Sequence, residues 1–364
     1  MGAPSNAKVK GAIERLLNGG LRNLWYPISP SWAVSKKPIG ITRLSEKIVV
    51  WRGADGQVHA LEDRCPHRGA RLSLGWNLGD RLACRYHGVE VGGDGRVKDV
   101  PAVDNCPMVG TSAVKSYTCR EIRGAVFAYF GDDLHPEPVE MDPPRELADE
   151  EEYGTMLCTA IWRCNYRYAI DNVMDPMHGA YLHASSHSMA EGDKQAKMRI
   201  SKTDTGLVFE KIGQSGVNFD WVEFGNTGCH WLRLDIPYRK AAGPGGPFGI
   251  LGCITPIDER TCQVYFWRNR RVSGWQRDVW RFMYKNRLEG LHWVVLEQDR
   301  LVLETMAADA RRHEYLYQHD TGLARVRRIL EEEAKAQIEA LAAAGQGAPG
   351  IPRAVTKHLK ETQQ

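Results

Sequence analysis

No stretch of this 364-residue chain approaches the roughly 18 consecutive apolar residues of a membrane-spanning helix, so no membrane span is expected. Neither sign of charge is in excess. The 48 basic and 45 acidic residues leave a formal net charge of +3, too little for a nucleic-acid binder that works through a broad basic surface. Met1 to Gly20 lack the apolar core of a secretion signal, and Asn6 stands where a myristoylation signal requires Ser or Thr. A cytoplasmic location is therefore expected. Cysteine is sparse and odd in number, nine, which argues against a disulfide framework and for free thiols in a reducing compartment. No internal repeat is visible. No Gly-x-Gly-x-x-Gly follows a strand-like run, which speaks against flavin or nicotinamide bound on this chain. What is present is ordinary for a globular protein: 43% hydrophobic and 26% charged residues, which excludes disorder as the main theme.

At roughly 150 residues per domain the length predicts two domains. Residues 8–22 read as a short amphipathic helix ended by Gly19-Gly20. Short β-like runs follow. Two of them flank Ala54-Asp55-Gly56 and two flank Gly92-Gly93-Asp94-Gly95, both hairpin signals, and Gly124 to Phe130 is a further strand candidate. The stretch 132–152 is rich in Pro and acid and reads as a linker. Beyond it, 166–185 reads helical with one interruption, 199–270 holds several strands broken by a Gly/Pro loop at 241–247, and 275–306 and 323–344 read helical. The expectation is an α+β protein: an antiparallel β domain over 1–150, an α+β domain over 151–345 with an antiparallel sheet flanked by helices, and a tail over 346–364.

Two Cys/His pairs stand beside the hairpins, Cys65-Pro66-His67 and Cys84-Arg85-Tyr86-His87, with sixteen residues between them. Each half offers one thiolate and one imidazole, the supply needed by a two-iron, two-sulfide cluster with one iron on two Cys and the other on two His. Imidazole in place of thiolate raises the reduction potential of such a cluster to roughly −150 to +300 mV. The competing reading is a structural Cys2His2 zinc site in a non-catalytic binding protein, although zinc fingers usually group Cys with Cys and His with His. Cys65-Pro66-His67-Arg68-Gly69-Ala70 and Cys84-Arg85-Tyr86-His87-Gly88 resemble the Rieske motif of the Rieske non-heme iron oxygenases.

A second constellation lies in Asp171-Asn172-Val173-Met174-Asp175-Pro176-Met177-His178-Gly179-Ala180-Tyr181-Leu182-His183. Histidines five apart stand about 140° apart on a regular helix. Pro176 breaks that geometry and lets both rings aim at one point. With one carboxylate they form a facial triad that leaves positions open on Fe(II). Glu297, Asp299 and Glu304 interrupt the apolar run after Trp293, and an acid in such a helix costs free energy unless it pairs or binds metal. The resemblance implies Asp299 as the ligand, with Glu297 the nearest competitor and an ion pair with Arg300 or Arg271 the structural alternative. It also implies that Asp175 bridges the two centres across a subunit boundary, accepting hydrogen bonds from His178 and from a neighbour's His67 or His87. The alternative for Asp175 is a helix cap. Asn172 is expected near the iron without ligating it, and Asp171 within the fold's own hydrogen bonds.

The resemblance further implies a terminal oxygenase, a homotrimer of phthalate-dioxygenase type. It would use O2 and electrons from NAD(P)H, delivered by a separate reductase and in some members a ferredoxin, to dihydroxylate an aromatic ring. Rieske monooxygenation, as oxidative O- or N-demethylation, uses the same ligands and stands as the alternative. Eleven Trp, thirteen Tyr and eight Phe supply material for an aromatic-lined pocket or for an ordinary core. The loop 241–248 is equally a cover for the iron entrance or a plain turn. His59, His135, His187, His230, His292, His313, His319 and His358 are expected to be packed or surface residues, and the seven remaining cysteines to be buried small residues.

Overall fold

The computed structural model describes residues 6–185, 194–214, 220–237 and 246–344. His187, His358, the tail beyond 344 and residues 241–245 of the Gly/Pro loop lie outside the described residues. In chain order the strands are β1 (Leu24–Pro30), β2 (Ile39–Arg43), β3 (Glu46–Arg52), β4 (Val58–Glu62), β5 (Trp76–Asn77), β6 (Arg81–Ala83), β7 (Glu90–Gly92), β8 (Val97–Asp99), β9 (Ser116–Tyr117), β10 (Cys119–Ile122), β11 (Ala125–Phe130), β12 (Tyr153–Trp162), β13 (Lys197–Lys202), β14 (Gly206–Ile212), β15 (Trp221–Asn226), β16 (His230–Ile236), β17 (Phe248–Asp258) and β18 (Thr261–Arg271). The helices are α1 (Asn6–Gly19), α2 (Arg145–Ala148), α3 (Tyr166–Val173), α4 (Gly179–Leu182), α5 (Gly274–Met283), α6 (Glu289–Leu303) and α7 (Thr321–Ala343), with a π-helical turn, Tyr284–Leu288, joining α5 to α6.

The first region holds three small antiparallel sheets, β1-β11-β10, β2-β3-β4-β9 and β5-β6-β7-β8, and both expected hairpins are present in them. Period-2 alternation lets β3 serve two cores. Ile48 and Val50 join the main core, while Val49 and Trp51 pack beside Cys65 and Cys84.

In the second region a seven-stranded antiparallel sheet runs β12-β18-β17-β16-β15-β14-β13. Its long central strands alternate in the same way. Leu251, Cys253, Tyr265 and Trp267 pack against Trp25, Phe127 and Tyr129, with the Phe127 and Trp267 rings stacked at 5.9 Å. Leu234, Ile236, Phe248 and Phe266 face the other way, toward α3 and α6. The sheet thus has one face on the first region and one on the helices.

The Pro- and acid-rich stretch 132–152 is more than a tether: Met141 and Leu147 are buried in it, and the Trp25 indole donates to the Val139 carbonyl at 2.8 Å. Helix α7 closes the fold. Val326, Leu330, Ala334 and Ile338, four apart, bury one stripe, and Gln337 pairs with both backbone groups of Arg22 at 3.0 and 2.8 Å. Among the described residues no helix is long and apolar enough to cross a membrane.

Candidate metal centres

The two Cys/His loops repeat one backbone pattern. Gly69 N donates to the Cys65 carbonyl and Cys65 N to the Ala70 carbonyl, at 2.9 and 2.7 Å; Gly88 N donates to Cys84 and Cys84 N to Val89, at 2.9 and 2.8 Å. Each loop turns on a left-handed glycine, φ +77° at Gly69 and +75° at Gly88, where a side chain would add strain. The result places Cys65 and Cys84 inside, and His67 and His87 at the surface with ring centroids 4.7 Å apart. Burial, together with the neighbouring Cys84, pushes the Cys65 thiol up to about 11, although backbone donors at His67 and Arg68 work the other way. Such a thiol stays protonated unless a metal takes its place. Among the described residues, only His178, His183 and Asp299 converge within single-ion distance. The mixed Cys/His make-up of each loop fits two irons bridged by sulfide better than one tetrahedral zinc.

At the second centre, α3 starts on an N-cap in which the Asn165 side chain accepts from Arg167 N at 3.1 Å, and it ends at Val173. Pro176 interrupts the helix, leaving a turn and then the single turn α4. His178 stands at the start of that turn and His183 at its end. The break brings their rings to 5.1 Å, with Nε2 of each 3.4 and 3.2 Å from Asp299 Oδ1. Each ring is oriented from behind. His178 Nδ1 donates to the Asp175 backbone carbonyl at 2.6 Å, and His183 Nδ1 to Gln298 Oε1 at 2.8 Å. With both Nδ1 atoms committed as donors, each Nε2 turns its lone pair toward the Asp299 carboxylate. Three electron-pair donors then lie within 4.8 Å of one another, an arrangement that a cation resolves. Without a cation, protons relieve the same crowding. Burial raises the Asp299 carboxyl, but hydrogen bonds and charge from His178 and His183 hold it at about 2. For His178, burial lowers the value and Asp299 outweighs it, so the ring is raised. Asn172 Nδ2 donates to Asp299 Oδ1 at 3.2 Å.

Neither alternative for Asp299 is realised. Arg300 pairs with Glu297 at 2.9 Å and Glu304 at 2.7 Å, Arg271 pairs with Glu152, and the Glu297 side chain is half exposed. Asp171 pairs with Arg311 and Arg327 at 2.5 and 2.8 Å, as expected of a residue held within the fold.

Asp175 departs from expectation. Its backbone carbonyl, not its carboxylate, takes the proton of His178; the carboxylate lies 3.9 Å away, and its Oδ1 accepts from Met177 N at 2.7 Å. The turn forced by Pro176 sets the carbonyl directly against the ring, leaving the carboxylate to cap the turn. Two of the seven remaining cysteines, Cys106 and Cys119, are half-buried rather than buried. Of the other histidines, His59 stacks on Trp51 and His230 pairs with Glu333 at 2.8 Å.

The triad opens into a cavity that is partly open to solvent. Leu234, Ile236, Phe248, Ile250, Phe266 and Arg268 form its sheet wall, and Asn172, Val173, His292, Val295 and Leu296 line the helix wall with the triad. The sequence reading missed Gln298, His292 and Arg268. His292 lies seven residues before Asp299 on one helix, a spacing that puts both on one face and that a search by face would have found.

A family model described as the Rieske [2Fe-2S] domain matches residues 24–118, and one described as the vanillate O-demethylase oxygenase C-terminal domain matches residues 162–336. The chain is 31% identical over 271 residues to the dicamba O-demethylase oxygenase component of Stenotrophomonas maltophilia, covering 70% of this chain and 79% of that protein. It is 39% identical over 175 residues to a vanillate O-demethylase oxygenase subunit of Pseudomonas sp., covering 48% of each. The match thus spans about half the length of that relative. The fold is that of the terminal oxygenase of carbazole 1,9a-dioxygenase from Novosphingobium sp. KA1, with TM-score 0.74 and 23% identity over 89% of this chain and 96% of that one. With paired Cys/His loops on one side and a two-histidine, one-carboxylate group on the other, the chain belongs to the Rieske non-heme iron oxygenases.

Proposed function

We propose that this chain is a terminal oxygenase that hydroxylates an aromatic substrate with O2 and electrons originating in NAD(P)H. Cys65, His67, Cys84 and His87 would hold the [2Fe-2S] cluster, and His178, His183 and Asp299 the mononuclear iron. Bound there, the cluster supplies single electrons and the iron supplies O2 activation. The chain's own part is positional. Gln298 and the Asp175 carbonyl fix the two imidazoles, Asn172 holds Asp299 by its amide, and the apolar walls keep water from the reacting carbon. The observation that carries this reading is the triad facing an apolar cavity in a chain that also bears the paired Cys/His loops.

Ring dihydroxylation and oxidative demethylation use one ligand set. The match of residues 162–336 to a demethylase C-terminal model favours demethylation as the second reading. There, hydroxylation of a methyl carbon bound to O or N releases formaldehyde. Iron analysis and the visible spectrum of the purified chain test the metal assignment: three irons per chain and a red-brown colour bleached by dithionite are expected, and one zinc with no iron overturns it. Product analysis after O2 uptake with a surrogate reductase separates diol from formaldehyde.

The partners in this reading are a reductase, a ferredoxin where one intervenes, and two further copies in a homotrimer. The cavity lies on the sheet face turned away from β11, while His67 and His87 stand at the surface, which supports delivery of electrons from one subunit's cluster to the next subunit's iron. Asp175, its side chain 30% exposed, is the proposed bridge between them. A cytoplasmic setting, which keeps thiols reduced, completes this reading.

A further inference from the structure

The cavity wall contains a charge that the proposed chemistry does not use. On β18, Phe266 and Arg268 face the cavity while Tyr265 and Trp267 face away, and Arg268 lies in register between Ile250 of β17 and Met156 of β12. Arg268 is 2% exposed. Its Nε and Nη1 are shut off from solvent and have no hydrogen-bond partner, and among the described residues no carboxylate pairs with it. Its neighbour of opposite character is the face of the Phe266 ring, 5.4 Å from the guanidinium carbon. Asp299 lines the same cavity, but His178, His183 and Asn172 already occupy it.

A guanidinium does not shed its proton in proteins, so this charge is permanent and cannot be neutralised by titration. Burying it unpaired costs free energy that an apolar residue of similar volume would avoid. An opposite charge arriving with the ligand would remove that cost. The planar fork of an arginine fits the two oxygens of a carboxylate in parallel hydrogen bonds. The remaining sheet wall is apolar and aromatic and suits the ring that carries the carboxylate.

We propose that Arg268 is the receptor for a carboxylate on the aromatic substrate, which it anchors at the sheet wall so that the reacting carbon lies toward His178, His183 and Asp299 on the helix wall. This rests on the oxygenase reading above for what happens at the far end, though not for the binding itself. The substrate class is then an aromatic carboxylic acid, and the cavity has two ends: an anion site on the sheet and a metal site on the helices.

Binding of benzoate, benzamide and benzenesulfonate to the iron-loaded full chain, measured anaerobically by calorimetry and thermal shift, tests this without electrons or O2. Benzoate should bind roughly 10–100-fold more tightly than benzamide. Arg268→Met should bring both to one weak level, and Arg268→Lys should keep part of the preference. Without ligand, Arg268→Met should melt no lower than the parent, since it removes an unpaired charge. Equal binding of benzoate and benzamide by the parent, a preference that survives Arg268→Met, or tighter binding of benzenesulfonate than of benzoate overturns the proposal. Benzoate binding through Arg268 in a chain that consumes no O2 would keep the anion site and overturn the oxygenase reading. Turnover of neutral aromatics at a rate untouched by Arg268→Met would do the reverse.

Discussion

The Cys/His loops set their thiols inside and their imidazoles at the surface, so that centre presents one edge to whatever docks there. The His/His/Asp group lies deeper: His183 is 1% exposed, and each of the three side chains has a partner behind it. The first centre is made by two short loops whose own backbone hydrogen bonds fix the ligands. The second is made by a broken helix meeting another helix more than a hundred residues later in the chain. The proposed roles call for this difference, because an electron relay needs a contact surface whereas O2 activation needs a dry, shaped cavity.

The sharpest way to break this comparison is to remove a ligand from one centre and observe the other. His178→Ala or His183→Ala should abolish turnover and lower iron from three to two per chain, with the red-brown spectrum unchanged. Cys84→Ala should do the opposite to the colour and leave iron at the triad. Loss of colour in the histidine variants would show that the centres are not independent. Spectra and metal analysis on one preparation decide it.

The same contrast explains what was legible in the sequence. Cys65, His67, Cys84 and His87 lie in two contiguous motifs with their glycines, so local chemistry was enough to single them out as candidates. His178 and His183 were legible because Pro176 explains how an i, i+5 pair can converge. Asp299 needed the family resemblance, since nothing local separates it from Glu297. Only the packed structure shows Glu297 turned outward to Arg300. Gln298, His292 and Arg268 acquire their places when α6 closes over the sheet, a long-range event without a local signal. Arg268 is the first of three arginines, with Arg270 and Arg271, that follow the apolar run Val264 to Trp267, and its meaning depends on what does not pair with it.

Effects transmitted through residues behind the ligands should be smaller. Asp175→Asn keeps the backbone carbonyl that orients His178, so both metals should remain bound while reoxidation of the reduced cluster slows by up to roughly 100-fold, the upper range for such partners. Stopped-flow single turnover reads it, and an unchanged rate would remove the carboxylate from the path between centres. Gln298→Leu takes away the acceptor for His183 Nδ1 and should weaken iron binding roughly tenfold while leaving the cluster alone. An iron titration of the metal-depleted variant measures this.

The smallest effect sharpens the contrast from the other side, since the first region has an ionic anchor of its own. Glu46 accepts from Arg22 at 2.5 Å, from Lys115 at 3.0 Å and from the Tyr117 hydroxyl, tying the start of β3 to β9 and to the chain after α1. Burial raises its carboxyl, but Arg22, Lys115 and Tyr117 outweigh that and hold it at about 2, against 4.5 when free. A depressed carboxylate stabilises the fold above its free value and loses that contribution as pH falls through its folded value. The anchor should therefore weaken between about pH 4.5 and 2. A shift of this size has an upper bound of roughly 3 kcal/mol; because glutamine keeps part of the hydrogen bonding, Glu46→Gln should cost about 1 kcal/mol at pH 7. That cost should vanish toward pH 2, where the parent carboxyl is itself becoming neutral. Urea melts of parent and variant at pH 7, 4.5 and 3, followed through the cluster colour, would show the gap closing. A gap that stays constant with pH would mean that packing, not charge, holds β3 in place.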